Sequence, residues 1–259
     1  MERLAAFDVF HAHGGLYKGR LVGTIGHVGA MSVMSGKALA VGEGGFLITD
    51  DRQMYERAVA FGHYERTGWR SDLVKVSVEA PELKRFARVP LGGFKYRMHQ
   101  LSSAVGRVQL RHYSERMAEI QKAMGYFWDL LQGVPGVRAH RTPKGSGSTM
   151  GGWYSPRGIY VPEEMGDISV EKFCDAVRAE GAPVQPGMNE LLHLHPVLNE
   201  ADIYGHGRPT RLANAASDVR QPEGSLPASE RMADRVYSIP WFKHYRPETI
   251  EEHALAFRK

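Results

Sequence analysis

The chain has 259 residues, 42% hydrophobic and 24% charged, with a formal net charge of +4 and a pI near 9.1. That length can bury a substantial core as one large domain or two modest ones. The positive balance is mild and scattered, without the Lys/Arg tracts or finger and zipper spacings of nucleic-acid-binding modules, and no apolar run reaches the roughly 18 residues of a membrane span.

Residues 1–7 open with Met1-Glu2-Arg3-Leu4-Ala5, which lacks the apolar stretch of a secretory signal. They read as the end of a helix running into Asp8. The first third is rich in Gly and short apolar runs, consistent with strands and tight turns. Examples are Leu21-Val22-Gly23 and Gly45-Phe46-Leu47-Ile48-Thr49, the latter ended by Asp50-Asp51. Residues 52–61 predict a short helix with Met54, Ala58 and Phe61 on one side.

The strongest helical signal runs from Met98 to Gln132. Met117, Ile120, Met124, Phe127 and Leu131 recur at three- and four-residue steps, and Gly133, Pro135 and Gly136 end the pattern. Residues 143–152, rich in Gly and Ser, read as a flexible loop. A strand is expected within Trp153–Val161. Ser169 is placed to cap a helix carrying Phe173, Ala176 and Val177, which Gly181 ends. The single cysteine, Cys174, falls on that helix and reads as a packed apolar residue rather than a nucleophile. One cysteine rules out an internal disulfide and fits a reducing, cytoplasmic setting. Residues 205–227 are polar with scattered Pro and Gly, an irregular excursion of a length that usually binds something or is disordered. A domain boundary is expected inside the long helix, giving residues 1–115 and 116–259.

Chemistry concentrates in residues 8–45. Lys37 lies among small and apolar residues, including Gly29, Ala30, Met31, Val33, Met34, Ala38, Leu39, Ala40 and Val41, with no carboxylate nearby until Glu43. A lysine held in such surroundings would be partly desolvated, with its pKa lowered toward the neutral amine that attacks carbonyls. The bland alternative is a lysine whose stem packs while its ammonium reaches water. Two His-x-His pairs, His11-Ala12-His13 and His193-Leu194-His195 followed by Asp202, raise a metal-dependent hydrolase as a reading from another class. No further ligand spacing supports it, so no metal ligand is assigned.

Three motifs stand in order: Asp8 with His11, Ser32 five residues before Lys37, and Gly42-Glu43-Gly44-Gly45. Further on come Phe94-Lys95-Tyr96-Arg97-Met98, then Leu226-Pro227-Ala228-Ser229-Glu230 and Tyr237-Ser238-Ile239-Pro240. Together these resemble the DegT/DnrJ/EryC1/StrS family of pyridoxal-phosphate (PLP) sugar aminotransferases, over nearly the whole chain. The resemblance implies a PLP-dependent transferase of α/β fold type I. Residues 1–115 would be a partial large domain with a mixed sheet, and 116–259 an α/β small domain.

It implies that Lys37 carries the pyridoxal 5′-phosphate and moves the reacting proton, while Asp8 pairs with the pyridine nitrogen and His11 lies beside the ring or its 3-hydroxyl. Ser32 would donate to the phosphate, and Lys95 or Arg97 would reach the phosphate or substrate of a neighbouring subunit in a homodimer. The amino group would pass from glutamate or glutamine to a nucleotide-linked keto-sugar or a keto-cyclitol. Family dehydratases carry His at the Lys37 position, so a lysine there favours transamination. In the family these motifs follow well over a hundred residues that supply further strands, a phosphate-binding turn and a ring-stacking aromatic. The alternative is therefore a truncated, non-catalytic chain of the same ancestry that persists through oligomerisation.

Overall fold

The structure is a computed structural model, describing residues 6–8 (backbone), 11–63, 78–86, 89–187 and 189–259. The chain divides into two units, the first of residues 1–122 and 141–154, the second of 123–140 and 155–259.

The first unit is built on β1 (Ala6–Asp8), β2 (Leu16–Tyr17), β3 (Arg20–Leu21), β4 (Val28–Ser32) and β5 (Gly45–Ile48). β4 is central, pairing parallel with β1 and antiparallel with β5. Residues 6–8 are thus a strand rather than the end of a helix. Backbone pairing of Ala6 with Val28 and Asp8 with Ala30 overrides the helix-favouring composition before it. The strand expected at Leu21-Val22-Gly23 stops at Leu21, because β2 and β3 form a two-residue hairpin that pairs only two residues on each side. Its turn, Lys18-Gly19, has positive φ at both positions, the geometry that matches the twist of a tight hairpin.

Helix α1 (Arg52–Gly62) is capped by Asp51, whose carboxylate accepts from the Gln53 and Met54 N–H groups. Its buried residues are Glu56, Ala60 and Gly62, whereas Ala58 and Phe61 of the expected apolar face are exposed. Glu56 accounts for the difference. Its carboxylate accepts from the Ala80 N–H at 2.8 Å and from Arg52 Nε at 2.6 Å, so a buried charge is compensated on that face. These bonds, Ala80 first, hold the carboxyl below the usual carboxylate range. Ala60 packs with Val78 and with Leu83 of α2 (Pro81–Lys84).

The single long helix predicted from Met98 to Gln132 is two helices, α3 (Gln100–Arg111) and α4 (Tyr113–Leu130). His112 leaves helical geometry at φ −103°, ψ 7°, with its N–H turned to the Gln109 and Leu110 carbonyls. No residue of α3 is buried. The stripe Met117, Ile120, Met124, Phe127 and Leu131 is buried throughout, as its spacing predicted. α4 runs from the first unit into the second, which begins at Ala123.

In the second unit, β6 (Val137–Ala139) and β7 (Arg157–Tyr160) are followed by α5 (Val170–Ala179), β8 (Gln185–Pro186), α6 (Pro196–Asn199), α7 (Pro227–Ala233), β9 (Val236–Ser238) and α8 (Pro247–Ala256). The sheet order is β6-β7-β9-β8, antiparallel throughout. Ser169 caps α5 through its hydroxyl and the Lys172 N–H, as the sequence predicts. Phe127, Tyr160, Phe173, Tyr237, Phe242 and Phe257 form an aromatic core, Phe127 alone meeting Trp128, Phe242 and Phe257 at 5.3, 5.3 and 5.7 Å between ring centres. Cys174 is buried in this unit, and burial pushes its thiol up to about 11, which suits a packing residue. Residues 205–226 are irregular apart from a 3-10 turn at Thr210–Leu212, and α7 begins at Pro227. Among the described residues no helix is long and apolar enough to cross a membrane.

Candidate active site around Lys37

β4 ends at Ser32, and the chain then folds back on itself. Val33 N–H donates to the Gly44 carbonyl, Val41 N–H to the Val33 carbonyl and Lys37 N–H to the Met34 carbonyl, each at 2.9 Å. Val33, Leu39 and Val41 turn inward as a buried cluster with Met98 and Tyr113 packed against it. The loop thereby holds Lys37 through its backbone hydrogen bonds, and the residue is only 5% exposed.

Burying an ammonium is costly unless something replaces its water. Among the described residues no carboxylate pairs with Lys37. Instead its Nζ lies 3.6 Å from the centre of the Tyr154 ring. The negative face of an aromatic ring attracts a cation at this distance. On its other contact the Tyr154 ring meets His11, with ring centres 4.3 Å apart and planes at 55°. Lys37 and His11, both singled out in the sequence, thus converge on a tyrosine that was not.

His13 is the second residue the sequence did not single out for this role. It is buried, and its Nδ1 accepts from the Leu39 N–H at 3.3 Å. An accepting Nδ1 carries no proton, so the ring is neutral with its hydrogen on Nε2. Nε2 is buried and, among the described residues, has no hydrogen-bond partner of normal geometry. Burial lowers the His13 pKa, the Ser32 backbone opposes that shift, and the charges of Lys37 and His11 add to it.

Ser32 is itself buried, its Oγ accepting from the Met34 N–H at 3.3 Å, which leaves its hydroxyl hydrogen to donate. Asp8 pairs in register with Ala30, two residues before Ser32 on the neighbouring strand. Its side chain lies outside the described residues. Lys95 is exposed and Arg97 half-buried, in the segment leading to Met98 and hence to the Lys37 loop.

Tyr154 reaches Lys37 through residues 147–153. The loop read as flexible is in fact tied down. Thr149 N–H donates to the Leu16 carbonyl at 2.9 Å, Leu16 N–H to Thr149 Oγ1 at 3.1 Å, and Gly19 N–H to the Gly147 carbonyl at 2.7 Å. Gly152 N–H then donates to the His13 carbonyl at 2.7 Å. The Gly151-Gly152 pair is what permits this approach. A Cβ on Gly151 would lie 2.2 Å from the His13 carbonyl oxygen, and one on Gly152 2.6 Å from Ala38 Cβ. Glycines here let the backbone approach His13 and Ala38, the latter next to Lys37. Adjacent glycines before Trp153-Tyr154 were the available signal, but spacing could not name the partner.

Among the described residues the histidine pairs do not assemble a metal centre. His193 Nε2 lies 2.9 Å from Glu230 Oε1, and His195 caps α6 through Nδ1 while its Nε2 meets Glu190 at 2.9 Å. Asp202 accepts from the His206 and Gly207 N–H groups of its own loop. Among the described residues no three His, Cys, Asp or Glu side chains form a metal-binding group.

The sequence pattern of the DegT/DnrJ/EryC1/StrS aminotransferase family matches residues 5–257. The chain belongs to that family. It is 30% identical over 261 residues to L-glutamine:scyllo-inosose aminotransferase of Streptomyces griseus, covering 97% of this chain and 57% of that protein. With L-glutamine:2-deoxy-scyllo-inosose aminotransferase of Micromonospora echinospora it shares 27% over 234 residues, 90% of this chain and 52% of that one. The chain therefore spans a little over half the length of these relatives. Among solved structures it is similar to an aminotransferase from Psychrobacter cryohalolentis, with a TM-score of 0.72 at 20% identity over 98% of this chain and 60% of the other. It is also similar to GDP-4-keto-6-deoxy-D-mannose-3-dehydratase of E. coli with bound hydrated PLP, with a TM-score of 0.71 at 17% identity over 98% and 60%. The fold is fold type I of the PLP-dependent enzymes, mixed α/β as the sequence motifs implied.

Proposed function

We propose that this chain carries the lysine of a PLP-dependent aminotransferase that moves an amino group from glutamate or glutamine to a keto-cyclitol or a nucleotide-linked keto-sugar. The observation that carries the reading is the buried Lys37, held by its loop against an aromatic face with no carboxylate paired to it among the described residues. A structural lysine would be expected to reach water or an acid; this one is kept for an electrophile. The names of the two curated relatives described above support glutamine as donor and a keto-cyclitol as acceptor.

The residues present fit the cofactor. PLP, when bound, supplies an aldehyde for the lysine and an electron-withdrawing ring. Lys37 would hold it and, once displaced by the amino donor, move the proton between the substrate carbon and the cofactor C4′. Asp8 would keep the pyridine nitrogen protonated, and His11 would lie beside the ring or its 3-hydroxyl. Ser32 would give its hydroxyl hydrogen to the phosphate. Lys95 or Arg97 would serve the phosphate or substrate of a partner in a homodimer. Residues 1–115 would belong to the cofactor domain and 116–259 to the small domain.

The test uses the protein mixed with PLP. A visible absorbance should appear, borohydride should make the attachment permanent, and peptide mass analysis should place it on Lys37. Lys37→Ala should abolish it. Asp8→Asn should keep the attachment but slow amino transfer from glutamine by about a hundredfold or more, the scale for losing a group that assists proton transfer. Attachment at a different lysine would sink the reading.

A further inference from the structure

Tyr154 belongs to none of the family motifs in the sequence, yet the chain delivers it to Lys37 against a local conformational cost. The residues on both sides of it, Trp153 at φ 52° and Ser155 at φ 49°, lie in the left-handed region that side-chain-bearing residues disfavour. Backbone of this kind persists where surrounding contacts over-determine it, and such places cluster at functional sites. The contacts here are specific. Trp153 is buried and its Nε1 donates to Gln121 Oε1 at 3.2 Å. Just before it, Gly151 and Gly152 press against His13 and Ala38, the latter adjacent to Lys37.

We propose that Tyr154 is the positioning residue of the Lys37 amine. The inference rests on the reading of Lys37 as the cofactor lysine. A lysine has four side-chain torsions, and a free amine would sweep a wide arc each time it is released. The ring face, 3.6 Å from Nζ, narrows that arc. It does so without the ion pair that a carboxylate would impose, which is a weaker hold on the ammonium. With PLP present, Nζ would add to its aldehyde carbon, exchanging the C=O for C=N with loss of one water and no other reactant needed. The hydroxyl has no part in this, so phenylalanine should serve as well as tyrosine.

Two measurements on the whole chain test it. In the first, lysines are methylated with a carbon-13 label and the Lys37 signal is assigned with Lys37→Arg. The ring should shift that signal upfield in the unsubstituted protein and in Tyr154→Phe, and the shift should vanish in Tyr154→Leu. In the second, PLP capture is timed by borohydride quenching. Capture should be about tenfold slower in Tyr154→Leu, equivalent to about 1.4 kcal/mol, and nearly unchanged in Tyr154→Phe. Should Tyr154→Leu fail to fold, Tyr154→Met, similar in bulk but lacking a ring, takes its place. Equal capture rates with and without the ring overturn this proposal alone. No capture at Lys37 in the unsubstituted protein overturns the cofactor reading and this inference with it.

Discussion

His13 is neutral because three things act against its charge: burial first, then the neighbouring Lys37 and His11. Its pKa in the fold is below the ordinary 6.5, so the unfolded chain binds the proton more readily. The sign follows directly. The stabilisation is complete above about pH 6.5 and is lost as pH falls from there through the folded-state value. Urea midpoints should therefore fall from pH 7.5 to 5.5, by at most about 1.4 kcal/mol per pH unit from this one group. His13→Gln, which keeps an acceptor for the Leu39 N–H but has no proton to gain, should show a flatter dependence; an identical slope would refute the assignment. Ser32 and Lys37 could be singled out together because they are near in sequence, at the end of β4 and in the turn after it, and His11 came with the motif that follows β1. Tyr154 was not legible, because its encounter with Lys37 is made by a distant segment, and no local pattern records such a meeting.

At the level of elements, legibility followed whether apolar periodicity alone decided the packing. It did for the stripe of α4 and for α5, where each predicted core position but the exposed Ala176 is buried. It did not for α1, where a carboxylate takes an inward position because a backbone N–H and an arginine receive it. The break at His112 also has a trace in the sequence. Leu101, Val105 and Val108 form one stripe, but Met117 lies nine residues on, about half a turn out of phase at roughly 100° per residue. One straight helix would present the two stripes on opposite sides, and two helices resolve that conflict. In the second unit the Tyr237 hydroxyl is buried without a hydrogen-bond partner among the described residues, its ring lying where a Cβ on Gly158 would come within 2.3 Å of Cζ. Burial pushes its pKa well above the usual range for a tyrosine. Tyr237→Phe removes an unpaired polar atom and should leave stability unchanged or raise it by about 1 kcal/mol. Phe127→Ala, in the same core, should cost about 3–5 kcal/mol. Urea denaturation of both variants checks the contrast, and a large loss in Tyr237→Phe would reveal a partner for the hydroxyl.

For the molecule as a whole, α3 poses the question of what covers it. Leu101, Val105 and Val108 are 73, 47 and 53% exposed, along one side of a helix without a buried residue. An amphipathic helix gains its stability from what its apolar side meets. The homodimer proposed above would supply that surface. Light scattering should give the mass of a dimer at micromolar concentration, and Leu101→Lys with Val108→Lys should weaken it by about tenfold or more. A monomer under the same conditions would leave α3 without that role.

The two units also differ in how the chain is threaded through them. Residues 141–154 complete the first unit only after residues 123–140 have entered the second. At synthesis rates of about 5–20 residues per second, the Lys37 loop leaves the ribosome on the order of ten seconds before Tyr154 does. During that interval the Lys37 side chain has not yet met the Tyr154 ring. A single cut after Lys122, which looks like the natural way to express the two units apart, would leave Tyr154 on the wrong fragment.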